Sequence, residues 1–464
     1  MLTFEQKNKI GWNYVTDMLA LSPLGKRALK GAVMRGEGER ELLERDFDNI
    51  ESGLDAFKRF PEITQDLCRV TERIKDVIPS FMELRRGAVL TEAELFEVKF
   101  FLVHLKQLTA LYDKLAGCMF TGIGFPDMSE ALGILDPYGS GALSFELYDK
   151  YSPLLAEIRQ DKLAVEKELR FSPEDEELLQ ARAEIVRAEK EEEEKVLRQL
   201  SEKLSVYADD LISAAENAGT LDLSLQKARL ANDWSMCRPE ISAERISFEA
   251  MFNPELMERL EREGKEFTPV SISLSRGTTV ISGANMSGKS VILKTVALNT
   301  LLALSGFFVF ADAAEVTFVS DIMLLSLDME DSARGLSSFG GEIVALNEIL
   351  ESTDEGVCLV LLDEFARGTN PIEGAKIARA VASYFNESDS FCLMTTHFDG
   401  VSSVASAHYR VRGVREDAFI SDASSISDII DYTLVPAGLD DPVPAETAEI
   451  CRLLGLRSEI MKKI

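Results

Sequence analysis

Apolar residues recur at helical spacing in the first half of the chain and in short strand-like runs in the second half. In residues 1 to about 120, segments such as IESGLDAFKRF place apolar side chains three or four positions apart, which predicts helices. From about residue 236, runs such as GTTVISG and VCLVLLDE alternate with helical segments. This alternation predicts a mostly parallel sheet with helices packed on it, so the expected fold class is α + α/β.

Two long helical segments between residues 145 and 216 are separated only by the short sequence SPEDEE. Ser172, Pro173 and the acids that follow are typical of a helix start, so a second helix is expected to begin there and run to about residue 215. The pattern predicts an antiparallel hairpin that projects as an arm. The predicted domains are a helical core at 1–121, the hairpin and its connection at 122–235, and the α/β domain at 236–464.

Composition narrows the classes of function. The 464 residues carry a formal net charge of −29, which disfavours long-range attraction to nucleic acid without excluding a local basic groove. The six cysteines form no CxxC pair, and with only three histidines they favour reduced thiols over a metal site. The N-terminus shows no apolar signal segment, and the longest apolar run, 301–310, is too short to span a bilayer. A cytoplasmic protein without membrane contact is expected.

The sequence GANMSGKS at 283–290 has the spacing of a phosphate-binding loop. It follows a predicted strand and precedes a predicted helix, as such a loop requires. Gly283 and Gly288 let backbone amides turn toward phosphate oxygens, and the helix N-terminus adds a positive dipole. Lys289 is expected to reach the β- and γ-phosphates and Ser290 to bind Mg²⁺. A chance match in a glycine-rich turn is the alternative.

Two further strand ends carry candidate catalytic groups. The aliphatic run before Asp363 and Glu364 predicts a buried central strand. At its end Asp363 can hold Mg²⁺, and Glu364 can orient and polarise an attacking water. The run CLMTTHF ends another predicted strand with His397, which would then lie near the γ-phosphate as a sensor. A surface acid pair and a structural histidine are the alternatives.

The order of these motifs, with SSFGGE at 337–342 between them, resembles the ATPase domain of the MutS family, a branch of the ABC-class ATPases. Asn285 and Met286 fit the family loop, whereas Ala284 and Ser287 depart from it. The resemblance implies ATP and Mg²⁺ as cofactors and ATP hydrolysis as the activity. The residues that it places at the nucleotide, besides those named above, are Asn285, Met286, Ser287, Val291, Phe267 and Ser337.

The resemblance also implies a homodimer in which Ser337 completes the ATP site of the partner subunit. A serine-rich helix cap is the alternative reading of SSFGGE. Phe267 corresponds to the aromatic residue that stacks on adenine, and a core phenylalanine is the alternative. The pair Asn370-Pro371 departs from the family pattern, so the geometry of that loop is not implied.

The expected client of the ATPase is a protein rather than DNA. The upstream helices resemble the core and lever arms of MutS proteins, but the family's mismatch-reading, connector and clamp domains are not recognised. Where a DNA clamp would need lysine and arginine, the hairpin carries SPEDEE. The sequence is similar to MutS-like reactivating factors of adenosylcobalamin-dependent aminomutases. Binding of mismatched or branched DNA and a role as an assembly scaffold are the alternatives.

Overall fold

The structure is a computed structural model. It describes residues 2–115, 117–284, 286–326, 338–414, 430–443, 451–452 and 456–461. The chain divides into two compact units. The first unit holds Met1–Leu19, Val33–Phe47 and Leu230–Ile464, and the second holds Ala20–Ala32 and Asp48–Arg229.

The described helices are α1 (Phe4–Ile10), α2 (Trp12–Asp17), α3 (Pro23–Gly31), α4 (Arg40–Arg59), α5 (Pro61–Arg73), α6 (Ile78–Arg85), α7 (Glu92–Tyr112), α8 (Ser129–Leu135), α9 (Pro153–Leu169), α10 (Glu176–Ser205), α11 (Ala208–Asp233), α12 (Pro254–Arg262), α13 (Lys289–Leu304), α14 (Ser338–Glu355), α15 (Pro371–Asn386) and α16 (Ser458–Met461). The described strands are β1 (Glu240–Ser242), β2 (Arg245–Met251), β3 (Val270–Ser275), β4 (Gly277–Ser282), β5 (Ala313–Thr317), β6 (Asp321–Ser326), β7 (Cys358–Asp363), β8 (Phe391–Thr396), β9 (Ala407–Val414) and β10 (Ile430–Pro436). Short 3₁₀ turns lie at Glu37–Glu39, Asp149–Tyr151 and Ser402–Val404.

The second unit is helical in its described residues and has its own apolar core. Helix starts follow local signals, since Thr91 and Glu94 form a capping box at the start of α7. The helices bury one continuous cluster of apolar side chains. Within it the rings of Phe81 and Phe101 meet edge to face at 5.2 Å. The predicted helical character of this part of the chain is confirmed.

Helices α9 and α10 form the predicted antiparallel hairpin, but its details differ from the prediction. Asp175, not Ser172, caps α10, because its carboxylate accepts bonds from the amides of Glu177 and Leu178 at 3.1 and 3.2 Å. The expected second helix is also two helices, since α10 ends at Ser205 and α11 begins at Ala208. No proline or glycine marks this break in the sequence. The Tyr207 hydroxyl at the break donates to Glu130 at 2.7 Å, a contact distant in sequence.

The first unit contains the predicted α/β fold. Its six-stranded sheet has the order β10-β9-β4-β8-β7-β6, in which only β10 runs antiparallel to its neighbour. Strands β4 and β8 are buried along their whole length, which matches their β-branched and aliphatic sequences. A second sheet has the order β1-β5-β2-β3. The α + α/β prediction is therefore confirmed.

The first unit also includes N-terminal residues that the sequence prediction assigned to the helical core. The Trp12 ring meets Phe307 edge to face at 5.7 Å, and the Gln6 side chain donates to the Leu324 carbonyl at 2.9 Å. The amide of Arg35 donates to the Leu304 carbonyl at 2.8 Å. The compact units thus do not follow the predicted boundary at residue 121, because contacts distant in sequence decide which unit a segment joins. No helix in the described residues is long and apolar enough to cross a membrane.

Candidate nucleotide-binding site

The ends of three neighbouring parallel strands define the site. Strands β4, β8 and β7 are adjacent, with Ser282 in register with Thr396 and Asp363 in register with Thr395. The loop of residues 283–288 leaves β4 and enters α13 at Lys289. Carboxyl ends of parallel strands are where open α/β sheets bind ligands. The three motifs predicted separately from the sequence thus lie at one edge of one sheet.

Gly288 is required by the backbone at the start of α13. Its φ is +85°, in the left-handed region that side chains disfavour. A Cβ at this position would also lie 3.2 Å from Cδ1 of Tyr432 on β10. The first turn of α13 therefore presents its amides at the end of β4, where the helix dipole favours an anion.

Lys289 places a buried positive charge at this helix start. Its side chain is 3% exposed, and Nζ donates to the carbonyls of Gly283 and Ala284 at 2.9 and 2.8 Å. Nζ also lies 3.4 Å from Oε1 of Glu364. Burial lowers the pKa of Lys289, and the carboxylate of Glu364 opposes that shift. The loop thus concentrates positive charge where phosphate oxygens would bind.

Ser290 and Asp363 form the pair of oxygen ligands that Mg²⁺ prefers. The Ser290 hydroxyl donates to Oδ1 of Asp363 at 2.9 Å, and the Thr395 hydroxyl donates to the same oxygen at 2.7 Å. Mg²⁺ in nucleotide sites is held by one or two protein oxygens together with substrate phosphates. The donor set present here fits that use. Within the described residues no group of three or more histidine, cysteine, aspartate or glutamate side chains is placed to hold a metal ion.

Glu364 occupies a strained turn that its neighbours hold in place. Its φ is +49° and that of Ala366 is +65°, both unusual for residues with a side chain. The amide of Glu364 donates to the Thr395 hydroxyl at 2.9 Å, and its Oε2 accepts a bond from Arg367 at 2.5 Å. The amide of Ala366 donates to Oε2 of Glu342 at 2.9 Å. Thr395 and Glu342 thus hold the backbone of the turn, and Arg367 holds the carboxylate of Glu364.

These supporting residues were not assigned roles from the sequence. Glu342 is the last residue of the SSFGGE motif, and Arg367 follows the strand that ends at Asp363. The threonine that contacts Asp363 is Thr395, whereas Thr396 accepts from the amide of Phe398 at 3.0 Å. Side chains alternate along a strand, so the position of Thr395 opposite Asp363 follows from register, which one sequence does not give.

His397 follows β8 directly and faces the same group of charges. Burial lowers its pKa, and the positive charges of Arg367 and Lys289 lower it further, against the opposing effect of Glu364. The neutral ring is therefore favoured. Its Nδ1 is buried and has no hydrogen-bond partner among the described residues. Such a group can bond to a polar atom of a ligand.

A cavity of about 620 Å³ adjoins the loop. Its volume lies within the range of small-molecule sites. The residues of this cavity that the sequence had assigned to the nucleotide are Phe267, Met286, Ser287, Gly288 and Val291. Phe267 is half-buried in its wall rather than enclosed in the core. The hydroxyl of Ser287 is buried without a hydrogen-bond partner in the described part of the chain.

Two predicted site residues, Asn285 and Ser337, lie outside the described residues. The roles assigned to them stay predictions. The other predicted residues fall into two adjoining groups. Those at the strand ends are Gly283, Lys289, Ser290, Asp363, Glu364 and His397, and those in the cavity are the five given above.

Comparison with known proteins identifies one matching family and several relatives. Residues 279–434 match the family MutS domain V. Endonuclease MutS2 of Thermomicrobium roseum is 31% identical over 289 residues, which is 60% of this chain and 35% of the relative. DNA mismatch repair protein MutS of Natronomonas pharaonis is 30% identical over 278 residues, 59% of this chain and 32% of the relative. The matches thus span about a third of those relatives.

Proposed function

Because the chain belongs to the MutS family through its domain V, we propose that it binds and hydrolyses ATP and uses that cycle to switch conformation. One observation carries the proposal. Lys289, at a helix N-terminus, lies 3.4 Å from Glu364, and Ser290 bonds to Asp363 at 2.9 Å. This combination of a buried cation, a carboxylate and a hydroxyl–carboxylate pair is the set that phosphoryl transfer requires.

Each residue has a distinct task in the proposed reaction. The amides at the start of α13 and the ammonium of Lys289 bind phosphate oxygens and hold them in place. Ser290 and Asp363 would hold Mg²⁺, which supplies charge neutralisation on the phosphates. Glu364 orients a water molecule and accepts its proton, and His397 in its neutral form bonds to the terminal phosphate. Phe267 and Val291, in the cavity wall, bind the base.

The proposed assembly is a homodimer whose two ATP sites are each completed by Ser337 of the other copy. This proposal rests on the family resemblance, since Ser337 lies outside the described residues. It has a direct test in mixed dimers. When Ser337→Ala and Lys289→Ala subunits are mixed in different ratios, the ATPase activity of each mixture should differ from the sum of the activities of the two variants measured alone. Strictly additive activities would contradict shared sites.

The proposed client is a partner protein. The support comes from charge, because the hairpin end of residues 172–177 is exposed and acidic, and such a surface repels phosphate backbones. Binding of mismatched or branched DNA is the second candidate, and the name of the relative from Natronomonas pharaonis, a DNA mismatch repair protein, favours it. The narrower expectation of an aminomutase reactivating factor stays a prediction, since the matched relatives carry other names. A cytoplasmic location is proposed with it.

The ATP proposal is tested by Lys289→Ala with Lys376→Ala as the matched control. Removing the buried ammonium should weaken ATP binding by about 2–5 kcal/mol, because the phosphates lose a cation and Glu364 loses one of the two cations that it contacts. Lys376 is exposed on α15, so its removal should change nothing. Binding of a fluorescent ATP analogue and release of phosphate measure both. ATP turnover by Lys289→Ala at the unaltered rate would refute the assigned site.

The client proposal is tested by titrating the full chain into labelled homoduplex, mismatched and four-way-junction DNA at two salt concentrations. Weak binding that does not distinguish the three DNAs is expected, because the chain has a formal charge of −29. Salt-sensitive binding at micromolar concentration or tighter, with preference for one DNA structure, would replace the protein client by DNA.

A further inference from the structure

The far end of the hairpin exposes a phenylalanine. Phe171 lies in the turn between α9 and α10 and is 89% exposed. The turn itself is defined, since the amides of Phe171 and Ser172 both donate to the Glu168 carbonyl, at 2.9 and 3.1 Å. Solvent exposure of a whole aromatic ring forgoes a burial free energy of roughly 1.5–3 kcal/mol. The position is thus suited to contact with another molecule.

Three more exposed apolar side chains lie close behind this turn. Arg182 of α10 bonds to Glu166 of α9 at 3.1 Å and so marks where the two helices face each other. Leu163 lies three residues before Glu166, on the same side of α9. Leu179 and Val186 lie three residues before and four residues after Arg182, on the same side of α10. The exposed fractions of Leu163, Leu179 and Val186 are 59%, 46% and 38%.

These observations define one surface, the hairpin-end patch, made of Leu163, Phe171, Leu179 and Val186. Residues three and four apart on a helix are neighbours, so all three side chains behind the turn lie around one ion pair. Single exposed apolar residues need no explanation, but several together near an exposed ring are typical of an interaction site. The packing of α9 on α10 leaves a large part of each of these side chains exposed, while ion pairs such as that of Arg159 with Glu193 at 3.1 Å join the two helices.

Charge around the patch selects the partner. Glu174, Glu176 and Glu177 are exposed beside Phe171, and Asp175 is exposed as the cap of α10. Lys167 and Arg170 at the end of α9 are the basic residues of the same turn, and the acids outnumber them. An acidic rim repels nucleic acid and also a second copy of this chain, which carries the same charge of −29. It attracts a surface with lysine and arginine.

We propose that the hairpin-end patch docks a partner protein that offers an apolar pocket for Phe171 and a rim of lysine and arginine. This inference rests on the proposed protein client and states where on this chain the client binds. Aromatic side chains that fill a pocket dominate interface affinity, and the ring of Phe171 is the most exposed group of the patch. Leu163, Leu179 and Val186 then extend the apolar contact along one side of the hairpin.

The test uses the full chain and a defined probe, an amphipathic helical peptide of leucine and lysine, with a leucine–glutamate peptide of equal length as the charge control. Binding is measured by fluorescence anisotropy. Phe171→Ser should weaken binding of the lysine peptide by roughly tenfold or more, as truncation of an interface anchor does. Val206→Ser is the matched control, since Val206 is 81% exposed but lies at the other end of α10.

A second variant tests the charge rim. Glu174→Lys combined with Glu177→Lys should weaken binding of the lysine peptide and strengthen binding of the glutamate peptide, because the charge of the rim becomes positive. Phe171→Ser should unfold at the temperature of the unaltered chain, since its side chain is exposed. The double lysine variant should unfold slightly earlier, because Glu177 lies in the first turn of α10 and interacts favourably with the helix dipole.

Several results would overturn the proposal. Two of them concern the peptides: Phe171→Ser binds the lysine peptide as tightly as the unaltered chain does, or the unaltered chain binds both peptides equally. The other two are that Phe171→Ser no longer forms a dimer, or that it no longer binds DNA. Loss of dimer would identify a second copy as the occupant, and loss of DNA binding would identify DNA. ATP hydrolysis is measured in parallel, and Phe171→Ser should retain it. An unaltered chain without ATP hydrolysis would refute the proposed switch independently of the patch.

Discussion

The nucleotide site and the hairpin are both rich in charged residues, but the charged side chains differ in exposure and in role. In the site the side chains of Lys289 and Glu364 are 3% and 12% exposed. In the hairpin those of Arg187 and Glu191, one turn apart on α10, are 83% and 62% exposed. Buried charges interact strongly and must be compensated, whereas exposed pairs contribute about 0–1 kcal/mol to stability.

The comparison teaches that burial of a carboxylate does not by itself mark it as catalytic, since the side chains of Glu364 and of Glu189 in the hairpin are both 12% exposed. In the site one carboxylate contacts two cations, because Glu364 lies between Lys289 and Arg367. In the hairpin Glu189 also contacts two cations, Arg159 and Lys162, but it lies within the helix α10 rather than in a turn at a strand end. The first arrangement restrains both carboxylate oxygens of Glu364 beside the nucleotide site. The second holds two helices side by side.

The largest effect is expected for Glu364→Gln. The amide cannot accept a proton from water, so hydrolysis should fall by about 10²–10⁴-fold while ATP remains bound. Glu387→Gln, at the exposed end of α15, is the control and should have no effect. Single-turnover phosphate release and filter binding of ATP measure the two steps. A variant that loses binding and turnover together would assign Glu364 to the structure of the loop.

A smaller effect, on folding, is expected for Glu342→Ala. The change removes the acceptor of the Ala366 amide, and an unsatisfied buried donor costs about 1–3 kcal/mol. Glu342→Gln keeps a carbonyl acceptor and should recover most of the loss. Thermal and urea unfolding measure the difference. Equal stability of the alanine and glutamine variants would show that the turn at Glu364 does not depend on this bond.

The pH dependence of hydrolysis should depend on His397. Its pKa is lowered by burial, so the neutral ring persists below the usual histidine range, and activity should fall only at more acidic pH. His397→Gln should lose this acidic limb, whereas His104→Gln should keep it. Rate profiles between mildly acidic and neutral pH measure this. An unchanged limb in His397→Gln would assign it to another group.

The lowered pKa of His397 also makes the folding stability depend on pH. The unfolded chain binds the proton of His397 at a higher pH than the folded chain does. As pH falls through the unfolded-state pKa, stability therefore decreases, and the decrease ends once the lowered folded-state pKa is passed. The loss is expected to be small, because the ring is only partly buried.

The smallest effect is expected for Arg182→Gln in the hairpin. Its bond to Glu166 joins side chains that are 46% and 35% exposed, so its loss should change unfolding free energy by less than about 1 kcal/mol. Salt should reduce even this difference. Unfolding at two salt concentrations measures it. A loss as large as that of Glu342→Ala would contradict the contrast between the two regions.

Local signals allowed much of the site to be predicted. The loop, its strand and its helix lie within one stretch of chain, so glycine spacing and apolar runs identify Lys289 and Ser290. Asp363 and Glu364 follow an aliphatic strand in the same way. What the sequence could not give is the register that places Thr395 rather than Thr396 on Asp363, or the bond from Ala366 to Glu342. Both join segments distant in sequence.

In the fold too, features with a local sequence signal could be predicted and contacts between distant segments could not. Helices with a capping box, such as α7, were predictable from the sequence. The break at residues 206–207 was not, because a bond from Tyr207 to Glu130 accompanies it instead of a proline or glycine. The contact between the rings of Trp12 and Phe307 likewise joins segments distant in sequence, and no local sequence pattern predicts it.

The acids around Phe171 bear on how the protein behaves in concentrated solution. An exposed ring on one molecule would otherwise meet the same ring on another, and the chains would associate end to end. Like charges beside each ring keep two such ends apart at low ionic strength. Because salt screens exposed charges within about 10 Å at 0.1 M, the barrier to self-association weakens as salt rises. Colloidal stability and partner choice are therefore set by the same few side chains.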